Sequence, residues 1–297
     1  MDLEALRSFL HVARERSFSR AAKLLHVSQP AVSVRIRTLE EELGERLFLR
    51  ARGGVELTEA GAVLCASAEK IFSDVQEALT RLKELKEGGL GRVRVGCSDT
   101  VSLYLLPAAL VRFRRRYPGA EIDIRNAHTL ELLDLLVRGE LDFCVVTAPP
   151  ALDRRLAARP LFQDPFVLAC PRRDPLLRRA RVTLAALEGR PMVALEKGTV
   201  TRALLDRALR EAGVTPRVVL ETGNIEVQKR YVGIGFGVAL LPRSAVADAD
   251  GRRLATRPLE GAGLERAVVA VVPKDRYVPR PVQALLELLP ASGPPGT

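Results

Sequence analysis

The sequence predicts a protein in three consecutive parts: a small helical domain, one long helix and a larger α/β domain. Two short helical segments joined by a tight polar turn lie between Ser17 and Leu43. The next stretch, Thr58 to Glu87, contains no proline and a single glycine, which favours one long helix. From Arg92 onward, strand-like apolar runs alternate with helical runs, which is typical of sheets built from strand-helix-strand units.

The first part is predicted to be a helix-turn-helix. Ser19 is placed to cap the first helix, and Ser28 is placed to cap the second. The chain turns between the two helices at His26 and Val27. Helix pairs of this kind also occur in proteins that never bind nucleic acid, so the motif alone leaves that alternative open.

The second helix of the motif has two distinct faces. Apolar residues at spacings of four, three and four form a stripe that must pack inward: Val32, Ile36, Leu39 and Leu43. The opposite face and the N-terminal end of the helix are therefore presented to a partner. The residues there are of types that contact base edges and phosphates of DNA: Ser28, Gln29, Pro30, Ser33, Val34, Arg37 and Thr38.

A short hairpin follows the second helix. Arg46 to Arg50 and Val55 to Leu57 are strand-like segments on either side of a Gly53-Gly54 turn. Arg50 and Arg52 lie at its tip. The hairpin makes the unit a predicted winged helix, with two basic side chains available for DNA.

The motif is contained in the segment AAKLLHVSQPAVSVRIRTLEEELGERLFLR, which is followed by LTEAG. These residues resemble the N-terminal DNA-binding domain of LysR-type transcriptional regulators, and a weaker resemblance covers the whole chain. It implies a sequence-specific DNA-binding regulator that responds to a small-molecule effector. At Val34 many relatives carry a long polar or basic side chain, so a thymine-methyl contact is expected there. The resemblance places DNA contacts at Gln29, Pro30, Ser33, Arg37 and the wing residue Arg52.

The composition fits a globular protein with a polyanionic partner. Hydrophobic residues make up 47% of the chain, and the formal net charge is +10. A basic balance also suits a membrane surface or a solubilising shell, so the charge supports DNA binding without establishing it. No run approaches the roughly 20 apolar residues that span a bilayer, and the N-terminus lacks the layout of a secretion signal. A cytoplasmic protein without membrane contact is therefore expected.

The four cysteines give no indication of a metal site or cofactor. Cys65, Cys97, Cys144 and Cys170 are far apart and show no ligand spacing. Cys97 and Cys144 lie in apolar strand-like runs, where a buried reduced thiol is more common than a redox sensor.

The long helix carries a narrow apolar stripe at alternating spacings of four and three: Leu64, Ala68, Ile71, Val75, Ala78, Leu82 and Leu85. This stripe indicates a partner helix, and the alternative is that it packs on the effector domain of its own chain. The resemblance implies a linker helix that pairs across a homodimer on a partly palindromic site, and the family commonly forms tetramers from two dimers. Gly88-Gly89-Leu90-Gly91 predicts a flexible joint after it.

The third part is predicted to hold two lobes of alternating strands and helices in parallel sheets. The chain is expected to cross into the second lobe around Leu161 to Pro171 and to return near Leu264. Strands are expected at 93–97, 122–125, 143–147, 192–195, 218–220, 238–241 and 268–272. Helices are expected at 103–117, 129–138 and 281–289.

The phrases LLPAALVRFRRRYPGAEIDI and LLDLLVRGELDFCVV resemble LysR-type effector domains, which have the type 2 periplasmic-binding-protein fold. The predicted organisation is a winged helix-turn-helix at 1–58, a dimerising linker helix at 59–89 and an effector domain at 90–297. Its lobe I comprises 90–161 and 266–297, and its lobe II comprises 162–265. The effector is expected between the lobes.

Ligands of open α/β sheets bind where helix N-termini at the carboxyl ends of strands present free amides. The sequence has hydroxyl-bearing junctions at such places, although each one alone also fits an ordinary cap or turn. The resemblance implies effector contacts at Thr100, Ser102, Thr129 and Thr199, and chemistry adds His128 and Lys197. A small anion is the expected ligand. The full candidate set is Ser98, Thr100, Ser102, His128, Thr129, Thr147, Lys197, Thr199 and Thr201.

The alternative is a solute-binding or enzymatic α/β protein whose N-terminal helices serve only assembly. A solute receptor would carry an export signal, and an enzyme should show a convergent catalytic set. The sequence has no G-x-S-x-G elbow, and two of its histidines, His11 and His26, lie in the predicted DNA-binding region. A regulator without catalytic residues is therefore predicted, with operator DNA, an effector and further copies of itself as partners, and RNA polymerase if it is an activator.

Overall fold

A computed structural model describes residues 2–51, 54–86, 91–247, 250–251, 254–261 and 263–290. The chain divides into two compact units, Met1–Leu82 and Lys83–Thr297. The first unit contains three short helices, an antiparallel hairpin and most of a long helix. Its elements are α1 (Leu3–Glu15), α2 (Phe18–Leu24), α3 (Gln29–Leu43), β1 (Phe48–Ala51), β2 (Gly54–Leu57) and α4 (Glu59–Lys86).

Serine hydroxyls cap two helices of the predicted motif. The Oγ of Ser28 accepts a hydrogen bond from the Ala31 amide at 3.3 Å, as predicted for α3. The cap of α2 is Ser17, whose Oγ accepts from the Arg20 amide at 3.3 Å, so the prediction of Ser19 is wrong. Ser19 lies inside the helix because the extended backbone at Ser17 lets the first turn begin two residues earlier.

The buried stripe of α3 packs into one small core with α1, α2 and the start of α4. Val32, Ile36 and Leu39 are buried as predicted, whereas Leu43 is exposed. The helix ends at Leu43 because Gly44 adopts a left-handed conformation with a φ of 67°. Leu43 is therefore the last residue of the helix, and its side chain stays outside the core.

The long helix α4 begins where it was predicted to begin. The Oγ1 of Thr58 accepts a hydrogen bond from the Gly61 amide at 2.9 Å and donates one to the Arg46 carbonyl at 2.6 Å. Gly61 is required there, since a Cβ would lie 2.2 Å from the Leu47 carbonyl oxygen. The helix start is thus fixed against Arg46 and Leu47, the two residues before β1.

The apolar stripe of α4 divides into two parts. Leu64 and Ala68 pack into the core of the N-terminal unit. Ile71, Val75 and Leu82 are 36%, 37% and 56% exposed. The first part of the stripe therefore serves the chain's own core, which the sequence prediction missed, and the later part is uncovered. Ala78 is also exposed, and the side chain of Leu85 and the segment 87–90 lie outside the described residues.

The second unit is built on a seven-stranded mixed sheet. The strand order is β10-β6-β11-β5-β3-β4, with β9 paired on β6. The predicted parallel arrangement holds for β3, β4 and β5, but β6, β9, β10 and β11 pair antiparallel. The strands are β3 (Arg92–Cys97), β4 (Glu121–Asn126), β5 (Phe143–Thr147), β6 (Leu156–Pro171), β9 (Ala239–Pro242), β10 (Leu254–Pro258) and β11 (Glu265–Pro273).

The described part of this unit also contains a smaller parallel sheet, several α-helices and short 3₁₀ helices. The sheet consists of β7 (Pro191–Leu195) and β8 (Arg217–Thr222), and an isolated bridge joins Met192 to Val238. A π-helical turn, Val101–Leu105, precedes the first helix. The sequence analysis expected helices to begin near Thr199 and Asn224, where α7 and α8 begin, but gave no ranges for them, and it did not predict β10. The helices are α5 (Leu106–Arg116), α6 (Thr129–Val137), α7 (Val200–Glu211), α8 (Ile225–Gly233) and α9 (Arg280–Leu288).

Two strands connect the two lobes of this unit. Lobe I contains β3 to β5 with α5, α6 and α9, and lobe II contains β7 to β10 with α7 and α8. Sixteen-residue β6 runs from lobe I into lobe II, and β11 returns beside it. Phe113 and Phe143 are buried in lobe I, and Leu168 and Leu240 are buried in lobe II. Each lobe thus has its own apolar core, and polar groups meet at the junction.

Candidate DNA interface and effector pocket

The exposed face of α3 carries most of the predicted DNA-contacting residues. Gln29, Pro30, Val34, Arg37 and Thr38 are exposed, and Val34 is 54% exposed. Ser33 is half-buried and accepts a hydrogen bond from the Gln29 Nε2 at 3.1 Å. The hydroxyl of Ser28 accepts the hydrogen bond that caps α3. Of the wing residues, Arg52 and the side chain of Arg50 lie outside the described residues.

Arg35 anchors α3 and leaves Arg37 free to face outward. The Nη1 of Arg35 donates to the Ser8 Oγ at 3.3 Å and lies 3.5 Å from a Glu4 carboxylate oxygen on α1. Two residues on, Arg37 points to the exposed side of the same helix. The two arginines therefore have different roles: Arg35 holds the helix in place, and Arg37 is presented.

A cavity of about 220 Å³ lies between the lobes of the second unit. It is formed by the carboxyl ends of strands β3, β4, β5 and β7 and by the first residues of α6, α7 and α8, which is where the sequence predicted a ligand. Its lining residues are Ser98, Asp99, Thr100, Asn126, Ala127, His128, Thr129, Thr147, Leu195, Thr199, Val200, Thr201, Gly223, Ile225 and Arg266.

The structure brings most of the predicted effector residues together. Ser102 and Lys197 do not line the cavity. Lys197 is exposed on the turn before α7, and Ser102 lies within the π-helical turn. The predicted residues that do line the cavity are Ser98, Thr100, His128, Thr129, Thr147, Thr199 and Thr201.

The helix starts around the cavity differ in how their amides are satisfied. Thr199 caps α7 by accepting from the Arg202 amide at 3.0 Å, and Asn224 caps α8 by accepting from the Glu226 amide at 2.8 Å. In contrast, no side-chain hydrogen bond caps α6 at His128 or the π-helical turn at Thr100. Within the described part of the chain, the Oγ of Ser98 is also buried without a partner. The uncapped amides and the Ser98 hydroxyl can donate hydrogen bonds to a ligand.

Arg266 forms the floor of the cavity and was missed by the sequence analysis. It is 3% exposed, and its Nη2 lies 2.9 Å from the Oδ2 of Asp164, which is 2% exposed. Burial lowers the pKa of Arg266, and the Asp164 charge opposes that shift. Its Nη1 also donates to the Thr147 Oγ1 at 3.4 Å. The available sequence signal was an arginine at the head of the apolar run AVVAVV.

A residue of lobe II, Ser244, also hydrogen-bonds to the Asp164 carboxylate. Its Oδ1 accepts from the Ser244 amide at 3.0 Å, and its Oδ2 accepts from the Ser244 hydroxyl at 2.6 Å. On the cavity side, the hydroxyls of Thr147 and Thr201 lie 3.3 Å apart. A continuous buried polar chain therefore runs from the crossing strands to the cavity wall.

Direct bonds join the two lobes at the cavity rim. The Nε2 of His128 lies 2.5 Å from the Oε1 of Glu196. Beside the cavity, Tyr104 of lobe I hydrogen-bonds to Glu226 and receives a hydrogen bond from the buried Lys229 Nζ at 2.6 Å. These contacts connect lobe I to lobe II beside the cavity.

Burial suppresses the reactivity of three cysteines. It raises the pKa of Cys97 and Cys144 to about 12 and that of Cys170 to about 11, so these thiols stay protonated at neutral pH. The described residues contain no group of His, Cys, Asp or Glu side chains that could hold a metal ion. In the same residues, no helix is both long and apolar enough to span a membrane.

A winged helix-turn-helix and a two-lobed α/β unit around a polar cavity define a ligand-responsive transcriptional regulator. Residues 3–62 match the family described as bacterial regulatory helix-turn-helix protein, lysR family, and residues 86–293 match the LysR substrate binding domain. The chain belongs to the LysR family of transcriptional regulators. Its resemblance in sequence to that family and the two-lobed fold are thereby confirmed.

Individual relatives match along nearly the full length of the chain. An HTH-type transcriptional regulator of Bacillus subtilis, YcgK, is 30% identical and covers 97% of this chain and 94% of that protein. The regulator CbbR of Xanthobacter flavus is 32% identical, over 98% and 88% of the two chains. The structure of a full-length OxyR variant from Pseudomonas aeruginosa superposes with a TM-score of 0.66 at 28% identity, over 97% and 94% of the chains.

Proposed function

We propose that the chain reads double-stranded operator DNA with the exposed face of α3. The observation that carries this proposal is the separation of the helix into a buried stripe, Val32, Ile36 and Leu39, and an exposed polar face. Arg37 is the main candidate for a base or phosphate contact, because its guanidinium is a bidentate donor. Val34 offers a methyl surface for thymine. Arg50 and Arg52 of the wing remain predicted contacts.

Replacing Arg37 with alanine should weaken specific operator binding by about 1–3 kcal/mol without unfolding the domain. The physical reason is that the substitution removes the hydrogen-bond donors of one exposed guanidinium. The measurement is a gel-shift titration at fixed salt with DNA fragments selected by the purified protein. Binding of the unmodified protein should also fall steeply as salt is added, because counterions are released from the phosphates.

Arg7→Ala is the matched control for Arg37→Ala. Arg7 is an exposed arginine of the same domain that lies on α1 rather than on α3, 3.8 Å from Glu4. Its loss removes the same formal charge from the same unit. If Arg37→Ala and Arg7→Ala bind the operator equally well, the recognition face has been placed wrongly.

We further propose that the cavity between the lobes binds the effector, and that the effector carries a carboxylate or another oxyanion. An anion would satisfy the uncapped amides at the start of α6 and hydrogen-bond to the hydroxyls of Ser98, Thr100 and Thr129. The cavity of about 220 Å³ is large enough for a metabolite, since a water occupies roughly 30 Å³. Lys197, predicted to favour an anion, contributes nothing to the cavity wall.

Thr129→Val should weaken binding of the anionic ligand by about 0.5–1.5 kcal/mol, because valine keeps the shape but removes the hydroxyl. Thr100→Val should act in the same direction. The probes are pyruvate, succinate, citrate, inorganic phosphate and the twenty common amino acids, titrated calorimetrically into the full chain. Lys197→Ala is the control that should leave affinity unchanged. Equal affinity of both threonine variants and the unmodified protein would remove these hydroxyls from the site.

We propose that two copies pair through the exposed part of the α4 stripe, and that dimers associate further into tetramers. The support is the uncovered row Ile71, Val75 and Leu82 together with family membership. The division into a winged helix-turn-helix at 1–58, a linker at 59–89 and an effector domain at 90–297 remains a proposal of the same kind, as do lobe bounds of 90–161 with 266–297 and 162–265.

We propose that the effector cavity regulates operator binding because the effector has different affinities for different arrangements of the protein. An effector changes operator binding only to the extent that it prefers one arrangement of the protein. We place the protein in the cytoplasm, with RNA polymerase as a partner if it activates transcription, and assign it no catalytic reaction. The support for this placement is membership of a family of DNA-binding regulators.

A further inference from the structure

We propose that the effector is an α-amino acid, bound as a zwitterion with its ammonium group on Asp99. This inference rests on the proposed effector pocket and names the class of ligand that the pocket takes. It starts from Asp99, which lines the cavity immediately after β3 and was absent from the sequence prediction.

The Asp99 carboxylate is held by one amide from each side of the cavity. Its Oδ1 accepts from the Asn126 Nδ2 at 3.0 Å, and its Oδ2 accepts from the Asn224 Nδ2 at 2.6 Å. Asn126 ends β4 in lobe I, and Asn224 caps α8 in lobe II. Both donors are neutral, so they orient the carboxylate without neutralising it. Each of its oxygens retains acceptor capacity for a ligand.

The charges around the cavity leave Asp99 without a cation. Across the described residues, no arginine, lysine or histidine lies within ion-pair distance of Asp99. The Arg266 charge is matched by Asp164, and the exposed Lys197 lies outside the cavity. The rim adds a second carboxylate, Glu196, beside His128. A simple dianion would therefore meet unmatched negative charge.

A positive helix end lies next to this carboxylate. Cys97 of β3 and Asn126 of β4 are paired in register, so the residues that follow them are neighbours across strands about 4.8 Å apart. Asp99 follows the first strand, and the uncapped start of α6 at Thr129 follows the second. One wall thus carries an acceptor for a cation beside donors for an anion. An α-amino acid carries an ammonium and a carboxylate on a single carbon, so it offers one group to each of these two partners.

The test compares amino acids with 2-hydroxy acids of the same shape. L-Alanine is paired with L-lactate, L-aspartate with L-malate, and the other common amino acids are screened alone by thermal shift and then by calorimetry on the full chain. At least one amino acid should bind, and in such a pair it should bind about tenfold more tightly than its hydroxy acid, the size expected of a lost charged hydrogen bond. This comparison needs no variant.

Asp99→Asn then tests the residue. It keeps one oxygen for an asparagine amide but removes the charge, so the amino acid should lose about tenfold in affinity while the hydroxy acid loses less. Asp123→Asn is the control, because Asp123 is an exposed carboxylate on β4 that pairs with Arg92 at 2.7 Å. The far-ultraviolet circular dichroism of both variants checks that they are folded.

The outcomes separate this inference from the proposed function. If no amino acid binds, or if hydroxy acids bind as tightly as their amino acid partners, the zwitterion inference is rejected. If a carboxylate or phosphate probe binds and is sensitive to Thr129→Val, the effector pocket survives that rejection. If an amino acid binds but Asp99→Asn and Asp123→Asn behave alike, Asp99 only joins the lobes and the assignment to it fails.

Discussion

Replacing Arg266 with methionine is expected to lower the free energy of unfolding of the effector unit by about 3–5 kcal/mol. Arg266 and Asp164 are among the most buried charged groups described, 3% and 2% exposed, and they face each other across β11 and β6. Methionine fills much of the space of the arginine stem but leaves the Asp164 carboxylate buried without a cation. Chemical denaturation of the full chain, followed by circular dichroism, measures the loss.

The matched variant removes both charges. The Asp164 Oδ1 accepts a hydrogen bond from the Ser244 amide at 3.0 Å. Asp164→Asn combined with Arg266→Met keeps an oxygen for this bond and removes both charges of the pair. This double variant should recover a large part of the lost stability, because replacing a whole buried ion pair is far less costly than breaking it. A single variant as stable as the unmodified protein would show that the pair contributes little.

Val75→Glu is expected to dissociate the dimer. Val75 lies in the exposed part of the α4 stripe between Ile71 and Leu82, so pairing of two copies would bury two carboxylates in one apolar seam. Burying an unpaired charge costs several kcal/mol, at least about a hundredfold in the dimer dissociation constant. Light scattering during gel filtration should report the mass of a single chain at concentrations where the unmodified protein is oligomeric.

Ala66→Glu provides the comparison for that variant. Ala66 is exposed on the same helix but lies off the apolar stripe, so its substitution adds the same charge without entering the seam. It should leave the oligomer intact. An undiminished oligomer mass for Val75→Glu would instead mean that copies associate through another surface.

Local signals predicted much of the architecture, because they depend on neighbouring residues. The cap at Ser28, the stripe of α3 and the strand 143–147 each follow from residues a few positions apart. Predictions failed where a contact with residues distant in sequence determines how a side chain packs. Leu64 and Ala68 pack on the N-terminal core, although their spacing alone fits a coiled coil.

The candidate site shows the same division. Hydroxyl residues at strand ends were predicted because the position follows from the strand-helix pattern. Arg266 and Asp99 were not, because their roles depend on Asp164 and Asn224, which are 102 and 125 residues away in sequence. Lys197 was chosen for its charge, but the pattern around it carries no information on the direction of its side chain.

The position of β11 in the sheet has a consequence for biosynthesis. This strand lies between β6 and β5 and, among the described strands, is the last to leave the ribosome. The core of lobe I needs its Val268 and Ala270, and β6 needs it as a partner, so neither lobe is complete before it emerges. The N-terminal unit, Met1–Leu82, is a separate compact unit. A message truncated ahead of Glu265 would therefore yield a polypeptide that retains α3, the proposed DNA-contacting helix, but lacks Arg266 in the wall of the proposed effector cavity.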